Sequence, residues 1–584
     1  MSSKSKIKKN KVVAGPAAVV RQIPGRAGAA GFQDYIKNLL VELCRIDTTP
    51  HPNPARMRAA ESQCFQIIER ELSRLNFTGA RLERRPVNPA IQTHPNYSLL
   101  HFTKTAERPQ GLSAEETYAG RSNLVFVAPG KDKKKSGASV ALNAHVDVVA
   151  PYFPPRVRNG IVFGRGACDD KGPLVAMVTA LKILSEVMTP AELKLNRNIV
   201  AMFVVEEETG GNGSLSLATD RELKKLYDTV LVGEPTSFKI HPANRGAVWY
   251  RAEINPPAGV SAFELSAFVI EELEKEGAAI RAESRHELFP QRPVQTCHGI
   301  IGPFGEHPSR ICGEVAFKIQ FAKSPDKKIE ALVRDCLESG LANYTGTYGD
   351  KTLVADPATK KPLVARHYDF RRAGKGFEIA VHGATGHMGA IRQRDGAITK
   401  MAHFVRSLIL SRAKLESSAG AMRLELGGGH LTHDGRLVLE GGQGFVPTHG
   451  IEEVMTRMRR AAERGAENYL RRCQNKESGT EAVTVTYEKL HNAAFDGDPD
   501  SPAMRNAISA AKECGFWKEE PVCGWTVSCD ARLFATEYPG MPVLTFGPGE
   551  LAVAHSDSEQ IAVKDIARAA EFLALFLLRQ TGTI

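Results

Sequence analysis

An α/β fold is what the sequence predicts, and three patterns predict it. Short apolar runs rich in β-branched residues (Leu124 to Ala128, Ser139 to Ala144, Asn198 to Val205, Thr229 to Gly233, Pro542 to Phe546) have the length and composition of buried strands. Segments with apolar residues at helical spacing lie between them. Several runs stop at loops that carry carboxylates or histidines, the edge where open α/β sheets hold their sites. At 584 residues the chain is too long for one core, so two or three domains are expected.

The elements follow in order. Residues 1–30 hold Lys4, Lys6, Lys8, Lys9, Lys11, Arg21 and Arg26 with no acidic residue, and read as a disordered basic tail. The tail contributes to a net charge of +10, but no nucleic-acid recognition motif follows it. A helix is expected from Gly31, with Tyr35, Ile36, Leu39, Leu40 and Leu43 on one face, and a second from Ala59 to Leu75. The Pro-rich stretch from 86 to 120 reads as irregular. Two strands, 124–128 and 139–144, flank a charged turn over 131–135. Ten Cys without a regular spacing fit reduced thiols and a cytoplasmic protein. No apolar run approaches the length of a membrane span.

The chemistry gathers at strand ends. Ile161-Val-Phe-Gly-Arg-Gly-Ala-Cys-Asp-Asp-Lys-Gly172 reads as a strand, a glycine turn and the opening of a helix. Adjacent carboxylates at Asp169 and Asp170 repel unless a cation or water intervenes, although Asp at a helix start is also a common cap. His145 and Asp147, two apart on an extended segment, leave the same face, and a metal-bound imidazole commonly donates its other N–H to a carboxylate. The strand from Asn198 runs into Glu206-Glu207-Glu208, three carboxylates that are costly to bury unpaired. Glu234 closes the next strand, and His555 follows the Gly-rich turn after Phe546. Carboxylates with two imidazoles suit zinc, manganese or cobalt better than calcium.

This ordered set resembles the dinuclear-zinc exopeptidase and deacylase family, which includes acetylornithine deacetylase, succinyl-diaminopimelate desuccinylase, glutamate carboxypeptidase and bacterial dipeptidases. The motifs that carry the resemblance are Asn143-Ala-His-Val-Asp147, Gly164-Arg-Gly-Ala-Cys-Asp-Asp-Lys-Gly172, Glu206-Glu-Glu-Thr-Gly210, Gly233-Glu-Pro-Thr236 and Gly547-Pro-Gly549 with Ala554-His555. The resemblance implies a catalytic domain built on a central mixed sheet with helices on both faces, split into 31–244 and 476–584, and an inserted α+β lid over 245–475. It implies that Asp169 bridges two divalent ions, most simply Zn2+ with Mn2+ or Co2+ as alternatives. His145 and Glu234 would complete one metal, Glu208 and His555 the other, with Asp147 behind His145 and Glu207 as general base. Relatives usually have Asp where Glu206 stands, so the glutamate register stays open by one position. Asp170 would turn away across a cis peptide.

The insert reads as two copies of one βαββα-like unit, about 245–345 and 375–475. Val381-His-Gly-Ala-Thr-Gly-His387 resembles the lid segment that donates a histidine to the oxyanion, making His387 the candidate; the first copy has no counterpart. A doubled lid is similar to the monomeric dipeptidase branch, where the second copy stands in for a partner subunit, so a monomer is expected. The expected substrate is a small peptide or an N-acyl amino acid, with no specific nucleic-acid partner. The usual lid arginine is absent at Lys318-Ile-Gln320 and Gly441-Gly-Gln443, which leaves Arg245, Arg392 and Arg394 as candidates for its role. An aminopeptidase-type dinuclear hydrolase and an inactive metal-binding relative are the alternatives.

Overall fold

The computed structural model describes residues 16–105, 107–108, 110–131, 138–302, 309–356, 359–427, 437–475, 478–487 and 491–583. Residues 1–15 of the expected tail, and all of the expected charged turn but Lys131, lie outside them. Six strands make the central sheet, in the order Arg81–Pro86, Ser122–Ala128, Ile199–Val204, Val140–His145, Thr229–Gly233, Val543–Phe546. The first two pairings in that row are antiparallel and the other three parallel, so the sheet is mixed.

Alternation along these strands sorts the core into two layers. Leu124, Phe126, Leu142, Ala201 and Phe203 pack on one face, against the helices Ala30–Cys44, Lys171–Met188 and Val563–Thr581. Val125, Val127, Ala141, Val200 and Met202 pack on the other, with Leu217, Leu223 and Phe534 of shorter helices. Each large side chain so buried contributes about 1.5–3 kcal/mol. The helix expected from Ala59 begins earlier, at Pro54, because the Asn53 side chain accepts the Ala55 N–H and proline suits the first turn.

The expectation of a disordered segment over 1–30 does not hold for residues 16–30. Pro16–Val20 is helical, and Val19, Ile23 and Ala27 are fully buried in the core beneath the sheet. The Ala27 N–H donates to Glu571 Oε1 at 2.7 Å, and Arg26 pairs with Glu186 at 2.9 Å. Small apolar residues were enough to anchor the segment, and distant glutamates supply the acid its own sequence lacks.

The insert contains two units, but they are nested rather than tandem, which corrects the boundaries 245–345 and 375–475. The first unit's strands are Gly246–Ile254, Thr296–Ile301, Leu437–Phe445 and Val483–Thr486, with the short His491–Asn492 also paired to Gly246–Ile254; the second's are Glu314–Phe321, Tyr368–Ala373, Gly376–His382 and Met422–Gly427. In each sheet the sequence-first strand pairs with the third and the fourth, and the second pairs with the third, all antiparallel. Both are therefore βαββαβ units of one topology. The second is inserted whole between the second and third strands of the first. Their helices share one apolar core.

Candidate metal centre

Neighbouring strands bring the expected residues together. Val140–His145 lies between Ile199–Val204 and Thr229–Gly233, so His145 emerges with the glutamate run on one side and Glu234 on the other. Asp169 sits just before helix Lys171–Met188, and His555 follows strand Val543–Phe546. His145 Nε2 lies 3.2 Å from Asp169 Oδ1, and His555 Nε2 lies 3.3 Å from Asp169 Oδ2 and 3.0 Å from Glu208 Oε1. Two groups result, His145–Asp169–Glu234 and Asp169–Glu208–His555, each with its ligand atoms within 4.8 Å of one another and every member buried. Asp169 belongs to both.

A second layer of contacts fixes these groups. His145 Nδ1 donates to the Asp147 carbonyl at 2.9 Å, which leaves Nε2 facing Asp169. The Asp147 carboxylate accepts the backbone N–H groups of Glu207 and Glu208 at 3.2 and 3.0 Å. The Asp169–Asp170 peptide is cis, and Asp170 Oδ2 accepts the His145 backbone N–H at 3.2 Å. Glu206 has left-handed backbone (φ 66°), a conformation that non-glycine residues adopt sparingly. Its carboxylate turns away from the cluster to Arg121 and to the Tyr118 hydroxyl, the latter at 2.8 Å. Glu206 is thus occupied elsewhere, and Glu207 Oε2 lies 4.0 Å from His145 Nε2.

Charge explains why this arrangement suits a cation. Burial, and then the neighbouring Glu207, Asp169 and Asp170, push the Glu234 carboxyl well above its usual range, with His145 the opposing influence. Burial followed by Asp530 does the same to Glu207. Burial opposes protonation of His555, but Glu208 and Asp169 outweigh it and raise the imidazole to about 9. More carboxylates than cations converge in a buried space, a condition that bound divalent ions relieve. The donor set of buried carboxylate oxygens and imidazole nitrogens fits such ions.

The lid reaches the same place. His387 N donates to the Ala554 carbonyl at 3.1 Å, its Nδ1 accepts the Gly389 N–H at 2.9 Å, and its ring centroid is 4.6 Å from that of His555. The expected substrate arginines are not brought to the cluster. Buried Arg245 donates to the Pro293 carbonyl at 2.7 Å, exposed Arg392 lines a cavity between lid helices, and Arg394 pairs with Asp356 at 2.8 Å.

Sequence reasoning passed over several residues that the structure puts around the site. Glu559 Oε1 accepts the N–H groups of Cys168 and Asp169 at 3.0 and 3.1 Å, and its other oxygen holds Arg165 at 2.5 Å. Arg310 donates to the His555 carbonyl and pairs with Asp557. Asp530 and Arg532 are buried beside Glu207, and burial raises Asp530 to about 6. Gly211 is required next to Asp530: its φ is +78°, and a Cβ there would sit 2.3 Å from Asp530 Oδ1.

Comparison with known proteins bears on the fold and the family. A LysW-lysine/LysW-ornithine hydrolase from Pyrobaculum aerophilum is 28% identical over 206 residues, 35% of this chain and 55% of its own length. A carboxypeptidase from Aspergillus terreus is 26% identical over 230 residues, 35% of this chain and 52% of its own. The chain thus spans about half the length of these curated relatives. Human carnosine dipeptidase 1 superposes with a TM-score of 0.54 at 15% identity, covering 97% of this chain and 100% of that one. The dipeptidase Dug1p of Saccharomyces cerevisiae gives 0.54 at 14%, covering 97% and 98%. The model of peptidase family M20/M25/M40 matches residues 141–579, and the chain belongs to that family.

Proposed function

We propose that the chain is a metal-dependent hydrolase that cleaves the amide or peptide bond of a small substrate, a dipeptide or an N-acyl amino acid. The observation that carries this is the sharing of Asp169 by two ligand groups, with Glu207 beside them. His145, Asp169 and Glu234 would hold one divalent ion and Asp169, Glu208 and His555 a second, zinc before manganese or cobalt. Bound there, the pair would supply Lewis acidity and lower the pKa of a water towards 7.

The chain's own residues divide the remaining work. Glu207, uncommitted to a ligand group, takes a proton from the attacking water and returns it to the leaving nitrogen. Asp147 keeps the Glu207 and Glu208 backbones in place through two N–H bonds. His387 offers an N–H to the oxyanion that develops at the carbonyl. Because His387 comes from the same chain, one chain completes the site and a monomer suffices. A recess of about 360 Å3 is lined by Pro235, the chain neighbour of Glu234, and Gly389, a near neighbour of His387 in the chain, and is walled by Leu288, Phe289, Trp525 and Leu551. It gives an apolar substrate side chain a place to lie. The presence of a base beside a full ligand set favours this reading over an inactive relative. A screen of dipeptides and N-acyl amino acids with added zinc, manganese or cobalt tests it. Hydrolysis that requires metal and is lost in Glu207→Gln is expected; no turnover of any member with any metal would overturn the proposal.

A further inference from the structure

The helical side of the lid holds a second recess, formed where the two nested units meet. Helix Ala262–Glu283 of the first unit faces helices Lys327–Tyr348 and Ala397–Leu410 of the second across a cavity of about 820 Å3. That is the size of sites that take small organic ligands. None of the metal-centre side chains lines it.

Its charges do not balance. Glu271 is taken up by Lys275 at 3.0 Å and Arg406 at 2.5 Å, and Glu274 by His298 at 2.9 Å and the Tyr348 hydroxyl at 2.5 Å. Arg281, Lys351 and Arg392 are left over. Arg281 donates to the carbonyls of Arg292 and Gln291, and Lys351 Nζ to the Arg392 carbonyl at 2.8 Å. Among the described residues, no carboxylate pairs with any of these three side chains. Burial disfavours the Arg281 cation, and Arg392 and Arg292 nearby disfavour it further. Like charges gathered at one cavity without a counter-charge raise the free energy of the empty state, and an anion relieves it. Guanidinium forks match the oxygens of carboxylate and phosphate groups.

We propose that this seam cavity binds a small multivalent anion, a phosphate- or polycarboxylate-bearing metabolite, with Arg281, Lys351 and Arg392 as its cationic contacts. Arg392 belongs to the short turn Met388–Gln393, which starts directly after His387. An occupant would therefore touch the segment that presents His387 to the metal centre.

Isothermal titration calorimetry on the full-length, metal-loaded protein, with inorganic phosphate and separately with tricarballylate at constant ionic strength, tests this. Saturable binding of at least one probe is expected, weakened about tenfold or more in Arg281→Ala/Lys351→Ala, with the melting temperature and dipeptide hydrolysis unchanged. Binding of phosphate alone would assign the site to phosphate esters; binding of tricarballylate alone would assign it to polycarboxylates. Should the double variant misfold, Arg281→Gln keeps a donor for the Arg292 carbonyl and reads the same loss of affinity. Absence of saturable heat with both probes would refute the site. Equal affinity in wild type and variants would refute it too, because the anion would then sit elsewhere.

Discussion

Asp169 is common to both ligand groups, and the adjacent Asp170 cannot replace it, since its carboxylate accepts the His145 backbone N–H. Asp169→Ala should therefore empty both metal positions, which metal analysis of the purified variant reads directly. Full metal content would refute the shared role. The glutamate run divides by the same logic. Glu207→Gln should keep the metals and lose turnover by about two to four orders of magnitude, whereas Glu208→Gln should lose metal first; exchanged phenotypes would mean the register is off by one. A third residue makes a claim about pH. His241 is buried, its Nδ1 donates to the Cys523 carbonyl at 2.7 Å, and burial lowers its pKa from 6.5 to about 4. Between those values the unfolded chain binds more protons, so stability falls as pH drops through the window, by about 3 kcal/mol at full extent. Urea titrations at about pH 7 and about pH 4.5 should show that loss, and His241→Asn should flatten it. The five residues of the two groups stood out in the sequence as charged or imidazole groups at the ends of apolar strands, and the family resemblance grouped them. Glu559, Asp530 and Arg310 did not stand out, since they sit in loops without periodicity. Arg165 was the available clue to Glu559, as a cation buried in a turn needs an acid.

Among the elements, the strand that starts beside Arg121 carries the clearest energetic signature. Arg121 is 1% exposed and binds both Glu61 and Glu206, so it ties helix Pro54–Leu72 to the glutamate loop. Removing it leaves two buried carboxylates uncompensated, and Arg121→Ala should cost about 3–5 kcal/mol in urea unfolding. An unchanged midpoint would mean that Glu206 has found another partner or reached water. The inner strands were legible from their unbroken apolar runs. Arg81–Pro86 and Tyr368–Ala373 were not, because edge strands expose one side and tolerate charge, as in Arg81-Leu-Glu-Arg-Arg. Thr296–Ile301 was hidden by its polar start and an irregular register near His298. The doubling of the lid could be read from the repeated strand and helix pattern. Its nesting could not, because pairing of Thr296–Ile301 with Leu437–Phe445 is a contact across more than a hundred residues that no local pattern announces.

At the scale of the molecule, His387 and the metal ligands lie on one chain, so activity should not depend on protein concentration. Light scattering should give a mass near 63.6 kDa. Mixing His387→Ala chains with Glu207→Gln chains should recover no activity; recovery would reveal sites completed between subunits. The nesting also sets an order of assembly during synthesis. The inner lid unit has all its strands once residue 427 has emerged, the outer unit only at residue 492, and the central sheet only at residue 546, when Val543–Phe546 can join Thr229–Gly233. His145, Asp169, Glu208 and Glu234 are thus made long before His555, and they wait at an unfinished sheet edge while the whole lid is translated. The ribosome delivers this protein from the inside outwards, and the last member of the two groups arrives when almost everything around it has been made.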